Sequence, residues 1–377
     1  MEGRVLYLVI VCAQVLAAVA AAGGVLRPPA IYVFGDSTMD VGNNNYLPGA
    51  DVPRADKPYY GVDFPGSVPT GRFSNGYNTA DYLAKNMGFT SSPPAYLSMS
   101  RSTGVLSRTA LATGVSYASG GAGILDSTNA GNNIPLSKQV QYFNATRSLM
   151  VAKLGSPGAV SRRVAKSVFL ISVGSNDIFV FYAASQNKSA AAAAEDHGSD
   201  AAAFIASLVS HYSATIKELY TMGARKFAII NAGLLGCIPE ARLHEAKDGC
   251  LDALNQLASG FDDALADLLA GLGAPSLPGF TYSLADYYGF TQIVFEDPGQ
   301  VGYTDVAGAC CGGGRLGAEA GCTPSSTVCA DRDQHAFWDR VHPSQRACMD
   351  TAIMFYHNRP GRWTTPMDFK ELAEIGL

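Results

Sequence analysis

The sequence predicts an α/β sandwich built on a largely parallel sheet. Three observations carry this. Short β-branched apolar runs alternate with longer segments of helical period, the arrangement of strand–helix–strand units. Glycines fall where the helical patterns stop, as at Gly223. The chain has 377 residues, 47% hydrophobic and 16% charged, which suffices for one large buried core.

In chain order, residues 30–34 form the first strand, read from Ala30-Ile31-Tyr32-Val33-Phe34. A short helix at 79–87 follows from Ala80, Leu83, Ala84 and Met87 at helical spacing. A second strand ends near Tyr117-Ala118, and 136–154 reads as a helix. Residues 168–173 are a continuous apolar strand. The helix at 200–222 places Phe204, Leu208, Ile216, Leu219 and Tyr220 near one stripe. A strand at 226–231, a helix at 251–272, a strand at 281–284 and a final helix at 344–357 complete the series. The alanine run 190–194 reads as an exposed, variable connection, and 308–329 as a disulfide-tied loop.

The N-terminus carries Arg4 and then an apolar run over 5–22 that ends in Ala20-Ala21-Ala22. A basic start, an apolar stretch and small residues at the end describe a secretory signal peptide. The expected organisation is a signal peptide at 1–22 and a single domain at 23–377, with no stable membrane insertion once the signal is removed. Of the 8 cysteines, Cys12 leaves with the signal. An extracellular chain forms disulfides among the rest. Seven is an odd number, and Cys348, in an apolar helical pattern, is the expected free thiol. The adjacent Cys310-Cys311 pair suits metal chelation poorly, so no metal and no cofactor is expected. Asn144-Ala145-Thr146 and Asn187-Lys188-Ser189 are glycan acceptors in such a compartment. A net charge of −5 without a basic block excludes nucleic acid as a partner.

In parallel sheets, ligands bind beyond the carboxyl ends of the strands. The first strand runs into Gly35-Asp36-Ser37 there. Serine needs an adjacent base to act as a nucleophile. Far downstream, His342 can be that base, with Asp339 three residues earlier to hold its other ring nitrogen. Of the 6 histidines, His335 is the nearest competitor, and Asp36 and Asp177 are rival carboxylates. Two further loops follow strands: one contains Gly120 and Gly121, the other Asn176. Glycine lets a backbone N–H approach a developing oxyanion, and an asparagine amide can donate to it.

These residues also carry a family resemblance. Phe34-Gly35-Asp36-Ser37 with Asp40 and Val41-Gly42-Asn43-Asn44-Asn45 resembles the first block of plant GDSL esterases/lipases, a branch of the SGNH hydrolase superfamily. Gly71 to Gly76, the Ser119-Gly120-Gly121-Ala122-Gly123 loop, Gly174-Ser175-Asn176-Asp177 and Gly236-Cys237-Ile238-Pro239 follow in the family's order, as do Cys310-Cys311-Gly312 and the Asp339–His342–Pro343 segment. The resemblance implies a flavodoxin-like three-layer α/β/α sandwich. It implies the catalytic set Ser37, Asp339 and His342, with oxyanion donors from the Ser37 backbone, Gly121 and Asn176. Gly121 is chosen because the family often has alanine where Gly120 stands. Thr38 departs from the family's leucine after the nucleophile. The expected activity is hydrolysis of a carboxylic ester, small or polymer-bound, through an acyl-enzyme. Acyl transfer by the same triad and a catalytically silent wall or carbohydrate-binding protein are the alternatives. The sequence names no particular ester.

Overall fold

A computed structural model describes residues 26–100, 107–186, 190–273, 275–357 and 361–377. Five parallel strands form the sheet: β1 (Ile31–Gly35), β2 (Gly114–Ser116), β3 (Val168–Ser172), β4 (Lys226–Ile230) and β5 (Thr281–Ala285). Their spatial order is β2-β1-β3-β4-β5, the flavodoxin-like order. The short strand Thr364–Thr365 pairs antiparallel with β5 and closes that edge. β1 and β4 are buried along their whole length, and β3 along all but its last residue. Strands buried on both sides in this way are what a sheet covered on both faces requires.

Register places Tyr32, Phe169 and Phe227 side by side on one face. Their rings lie 5.2 and 5.7 Å apart, and Phe143 from the helix Leu136–Leu154 meets Tyr32 at 4.9 Å. The helix Asp252–Gly271 packs against Ala190–Thr221, which contacts Leu136–Leu154. Lys226 precedes Phe227 and points to the other face, where its Nζ donates to the Ala373 carbonyl in the helix Phe369–Glu374. That helix joins Gln345–Tyr356, which packs on Thr79–Asn86. The result is a three-layer α/β/α sandwich.

Several sequence expectations are corrected. The alanine run 190–194 is not a connection but the start of the helix Ala190–Thr221. Alanine is the best helix former, and nothing in the run stops it. Asn176 and Asp177 lie in the first turn of a helix, Ser175–Gln186, not in a loop. That helix is apolar around most of its circumference and shows no stripe in the sequence. The helix at 344–357 is not the last, because Phe369–Glu374 follows it. Residues 308–329 form short strands and turns tied by Cys310–Cys329 and Cys311–Cys322; a third bridge, Cys237–Cys250, lies outside that segment. The bridged residues are 11 to 19 positions apart, and closing loops of that size is worth about 3 kcal/mol each in the chain-entropy account. Cys348 is a buried free thiol. The expected signal segment 1–22 and the Asn187 sequon lie outside the described residues. No helix among the described residues is long and apolar enough to cross a membrane.

Candidate active site

β1 and β3 are the strands at which the connections change direction, and their carboxyl ends lie level because Gly35 pairs with Ser172. A β-carbon at Gly35 would stand 2.2 Å from the Ser172 carbonyl oxygen, and its φ is +144°, so only glycine lets the chain pass there. Gln139 fixes the passage by accepting from Gly35 N (2.9 Å) and donating to Gly35 O (2.8 Å). The Asp36 carboxylate then accepts from Thr38 N and Thr38 Oγ1 at 2.9 and 2.8 Å, closing a turn that starts Ser37 at the strand end. Thr38 therefore gives this turn a hydrogen bond that leucine could not.

Ser37 Oγ lies 2.8 Å from His342 Nε2. His342 Nδ1 lies 2.9 and 2.8 Å from the two oxygens of Asp339. The tight turn between them is held by Asp339 Oδ1 accepting from the Val341 and His342 backbone N–H groups at 2.9 and 2.8 Å. Tyr60, 279 residues away, donates its hydroxyl to Asp339 Oδ2 at 2.7 Å. Burial alone would raise the Asp339 carboxyl. The neighbouring His342, the Tyr60 hydroxyl and the backbone donor outweigh it and bring the group down to about 2. The Phe73 ring lies 4.8 Å from the His342 ring and covers it. Nothing in the sequence pairs Tyr60 with Asp339. Phe73 stands in a block that could be noticed but not placed.

The rival groups are engaged elsewhere. Asp177 accepts from Ile124 N, Leu125 N and Thr128 Oγ1 at 2.8, 3.0 and 2.6 Å. It ties the helix start at Ser175 to the glycine loop, and burial raises its carboxyl. Burial likewise raises Asp36. His335 Nδ1 lies 3.0 Å from the Asp331 carbonyl. Cys310, Cys329 and His335 form a group dense enough to hold a metal ion, but its sulfurs are joined as a disulfide.

The glycine loop is held by the segment after Ser37. Gly120 N donates to Asp40 Oδ2 at 3.1 Å, and Asn44 Nδ2 donates to Gly120 O at 2.9 Å. Asp40 also accepts from Gly42 N and Asn43 N, both at 2.7 Å, while burial raises its carboxyl to about 6. The Gly120 N–H is therefore spent, whereas those of Ser37 and Gly121 have no acceptor among the described residues. Asn176 Nδ2 donates one hydrogen to Ala122 O at 3.0 Å, which leaves its second amide hydrogen free. Ser37, Gly121, Asn176 and His342 all line one open groove. The arrangement can pass the Ser37 proton to His342, and Ser37, Gly121 and Asn176 bring N–H groups without an acceptor among the described residues to the same groove.

The family model described as GDSL-like Lipase/Acylhydrolase matches residues 31–348. A GDSL esterase/lipase of Arabidopsis thaliana is 38% identical over 340 residues, 87% of this chain and 85% of that protein. A second from the same plant is 35% identical over 358 residues, covering 92% of both. A crystal structure of a lipase from a goat rumen metagenome aligns over 86% of this chain and 93% of that one, at 12% identity and a TM-score of 0.36.

Proposed function

This chain belongs to the GDSL-like lipase/acylhydrolase family and hydrolyses carboxylic esters, and we propose that it does so through an acyl-enzyme on Ser37. The observation that carries the proposal is the unbroken chain of contacts from Ser37 Oγ through His342 to Asp339, each link 2.8–2.9 Å. His342 Nε2 takes the serine proton as Oγ bonds to the ester carbonyl carbon. The negative oxygen that forms is met by N–H groups of Ser37, Gly121 and Asn176. Collapse breaks the bond to the alcohol, which leaves with the proton from His342. Water then repeats the sequence in reverse, and the acid departs. Asp339 stays ionised throughout and keeps the His342 Nδ1–H facing itself.

Replacing Ser37 by alanine tests this. Ester hydrolysis falls to the residual ~10³–10⁴-fold over water that binding and the oxyanion donors alone sustain. A folded Ser37→Ala protein with activity near wild type would remove Ser37 from the mechanism.

The same reading includes secretion of a single domain, residues 23–377, after loss of 1–22. Three disulfides support an oxidising compartment. Asn144 is exposed and open to a glycan. N-terminal sequencing of material recovered outside the cell should start near Gly23. Retention of Met1 on a chain that stays inside the cell would overturn secretion without touching the chemistry.

A further inference from the structure

The triad draws on two separately packed cores. Ser37 follows β1 and Asn176 opens the helix Ser175–Gln186, both on the main core of the sandwich. Asp339 and His342 sit against a second buried cluster, in which Tyr60, Phe73 and Trp338 gather around Cys310, Cys311 and Cys322. Each of those three aromatic residues meets the acid–base loop. Tyr60 donates to Asp339 Oδ2 at 2.7 Å, and the Phe73 ring lies 4.8 Å from the His342 ring. Trp338 is fully buried, precedes Asp339 in the chain, and closes the loop by donating its N–H to His342 O at 2.8 Å. The cysteine backbone holds the same segment: Cys310 N donates to Phe337 O at 3.1 Å and Cys311 N to Trp338 O at 2.7 Å. These adjacent cysteines then bridge to different partners, Cys329 and Cys322. From the sandwich, Glu240 N donates to Arg340 O at 2.9 Å, a contact with neither Asp339 nor His342.

Resting on the hydrolase reading above, we propose that the bridges Cys310–Cys329 and Cys311–Cys322 are positioning groups for the reaction: closed, they set Asp339 and His342 against Ser37, and opened, they part the base from the nucleophile while the sandwich stays folded. The reason lies in what each core has besides its bridges. The second core is carried by a ribbon of two two-residue strands, Cys311–Gly312 and Thr327–Val328, with short turns around it. A two-stranded ribbon is marginal on its own in water. The sandwich has a six-stranded sheet and a large apolar core that none of these four cysteines enters. Opening a bridge takes two electrons and two protons from a dithiol, which closes to its own disulfide and leaves two cysteine thiols. Cys329 is half-buried and gives a reductant its approach, whereas Cys311 and Cys322 are buried. The nucleophile is therefore in place as soon as the sandwich folds, and the base joins it only once these thiols are oxidised. A chain built this way stays silent in a reducing compartment.

The chain's 2 tryptophans make the test specific, because Trp338 lies in the second core and Trp363 in the main one. Trp363→Phe leaves Trp338 as the sole indole. The oxidised, folded Trp363→Phe protein is treated with graded dithiothreitol, its thiols are capped with iodoacetamide, and peptide masses show which bridge has opened. Opening of either bridge of the second core should lower kcat for 4-nitrophenyl butyrate at least about 10²-fold, the loss that a misplacement of about 1 Å causes. KM should change little, because a base that acts only in the transition state adds nothing to binding. Trp338 emission should move to the red as water reaches the indole, while far-UV circular dichroism keeps its helical signal, and reoxidation should restore kcat. Cys311→Ser/Cys322→Ser should show the same split without reductant; if that variant does not fold, the reductant series on the folded protein gives the answer. An unchanged kcat with both bridges open overturns the proposal. So does a kcat that falls only as the helical signal collapses, which makes the bridges ordinary stabilisers, or one that tracks the opening of Cys237–Cys250 instead. In each of these cases hydrolysis by the oxidised protein leaves the hydrolase reading standing. If the oxidised, folded protein cleaves no ester, that reading fails and the proposal with it.

Discussion

Asp339→Asn removes one charge and preserves size, and the structure dictates how the new amide must sit. Asp339 Oδ1 accepts from two backbone N–H groups, those of Val341 and His342, at 2.9 and 2.8 Å. Only the amide oxygen can take that position. The amide nitrogen is then forced to the place of Oδ2, 2.8 Å from His342 Nδ1 and 2.7 Å from the Tyr60 hydroxyl. An N–H aimed at Nδ1 makes that nitrogen an acceptor, so the ring proton moves to Nε2 and faces Ser37 Oγ. His342 then cannot take the serine proton. In the well-studied serine protease triad the same change lowers kcat about 10⁴-fold, and the geometry here calls for a loss of that order. The assay is steady-state hydrolysis of 4-nitrophenyl butyrate by purified Asp339→Asn, Asp36→Asn and Asp177→Asn proteins, each checked for a cooperative melt. Asp36 and Asp177 make no hydrogen bond to His342. Their variants should stay within about tenfold of wild type in kcat; Asp177→Asn should lose about 1–3 kcal/mol of stability, because its carboxylate is buried under three donors. If Asp339→Asn stays within about tenfold of wild type, the tautomer argument is wrong. If Asp36→Asn or Asp177→Asn gives the large loss instead, the orienting acid has been misidentified.

Three further outcomes follow from the same contacts. Asn176→Ala should lower kcat about 10²–10³-fold with KM little changed, because its free amide hydrogen meets the oxyanion only in the transition state; an unchanged kcat with raised KM would make it a substrate-binding group. Tyr60→Phe removes one of four donors to the Asp339 carboxylate, so urea unfolding should show a loss of about 1–3 kcal/mol while kcat falls less than about tenfold; a collapse of kcat with full stability would give the hydroxyl a direct chemical role. Acid should weaken the wild type more than Asp339→Asn. The Asp339 carboxyl is held down at about 2, against about 3.9 in an unfolded chain. Its stabilisation is therefore present above pH ~4 and is lost, by about 2–3 kcal/mol, as pH falls towards 2. The buried Asp40 carboxyl, raised to about 6, works in the opposite sense: its contribution is full below pH ~4 and is lost as pH rises through 6. Denaturant melts of both proteins between pH 5 and 2 separate the Asp339 contribution, and equal acid losses would contradict it.

Much of the frame was legible in the sequence because period and burial coincide in it. The strands β1, β3 and β4 hold apolar runs of four residues each, and the helix Leu136–Leu154 has the bounds that its period predicts. The fold rule that ligands gather at the carboxyl strand ends singled out the segments of Ser37, Gly121 and Asn176, and the structure brings these together with His342 and Asp339. The sequence was silent where contacts are long-range or where no stripe exists. Tyr60 reaches Asp339 only through tertiary packing. The helix Ser175–Gln186 carries apolar residues around most of its circumference, the exposed Val180 included, so the period that marks a surface helix is missing.

The central claim is that an acyl group is transiently bonded to Ser37 Oγ, and rapid-quench trapping measures it most directly. The enzyme is mixed with excess 4-nitrophenyl butyrate, quenched in acid within milliseconds, digested, and the peptides are weighed. The account predicts a mass increase of one butanoyl group on the peptide that contains Ser37, with the label on that serine and absent from the Ser37→Ala protein. A butanoyl group on any other side chain, or steady turnover with no acylated peptide and no initial burst of nitrophenol, would contradict it.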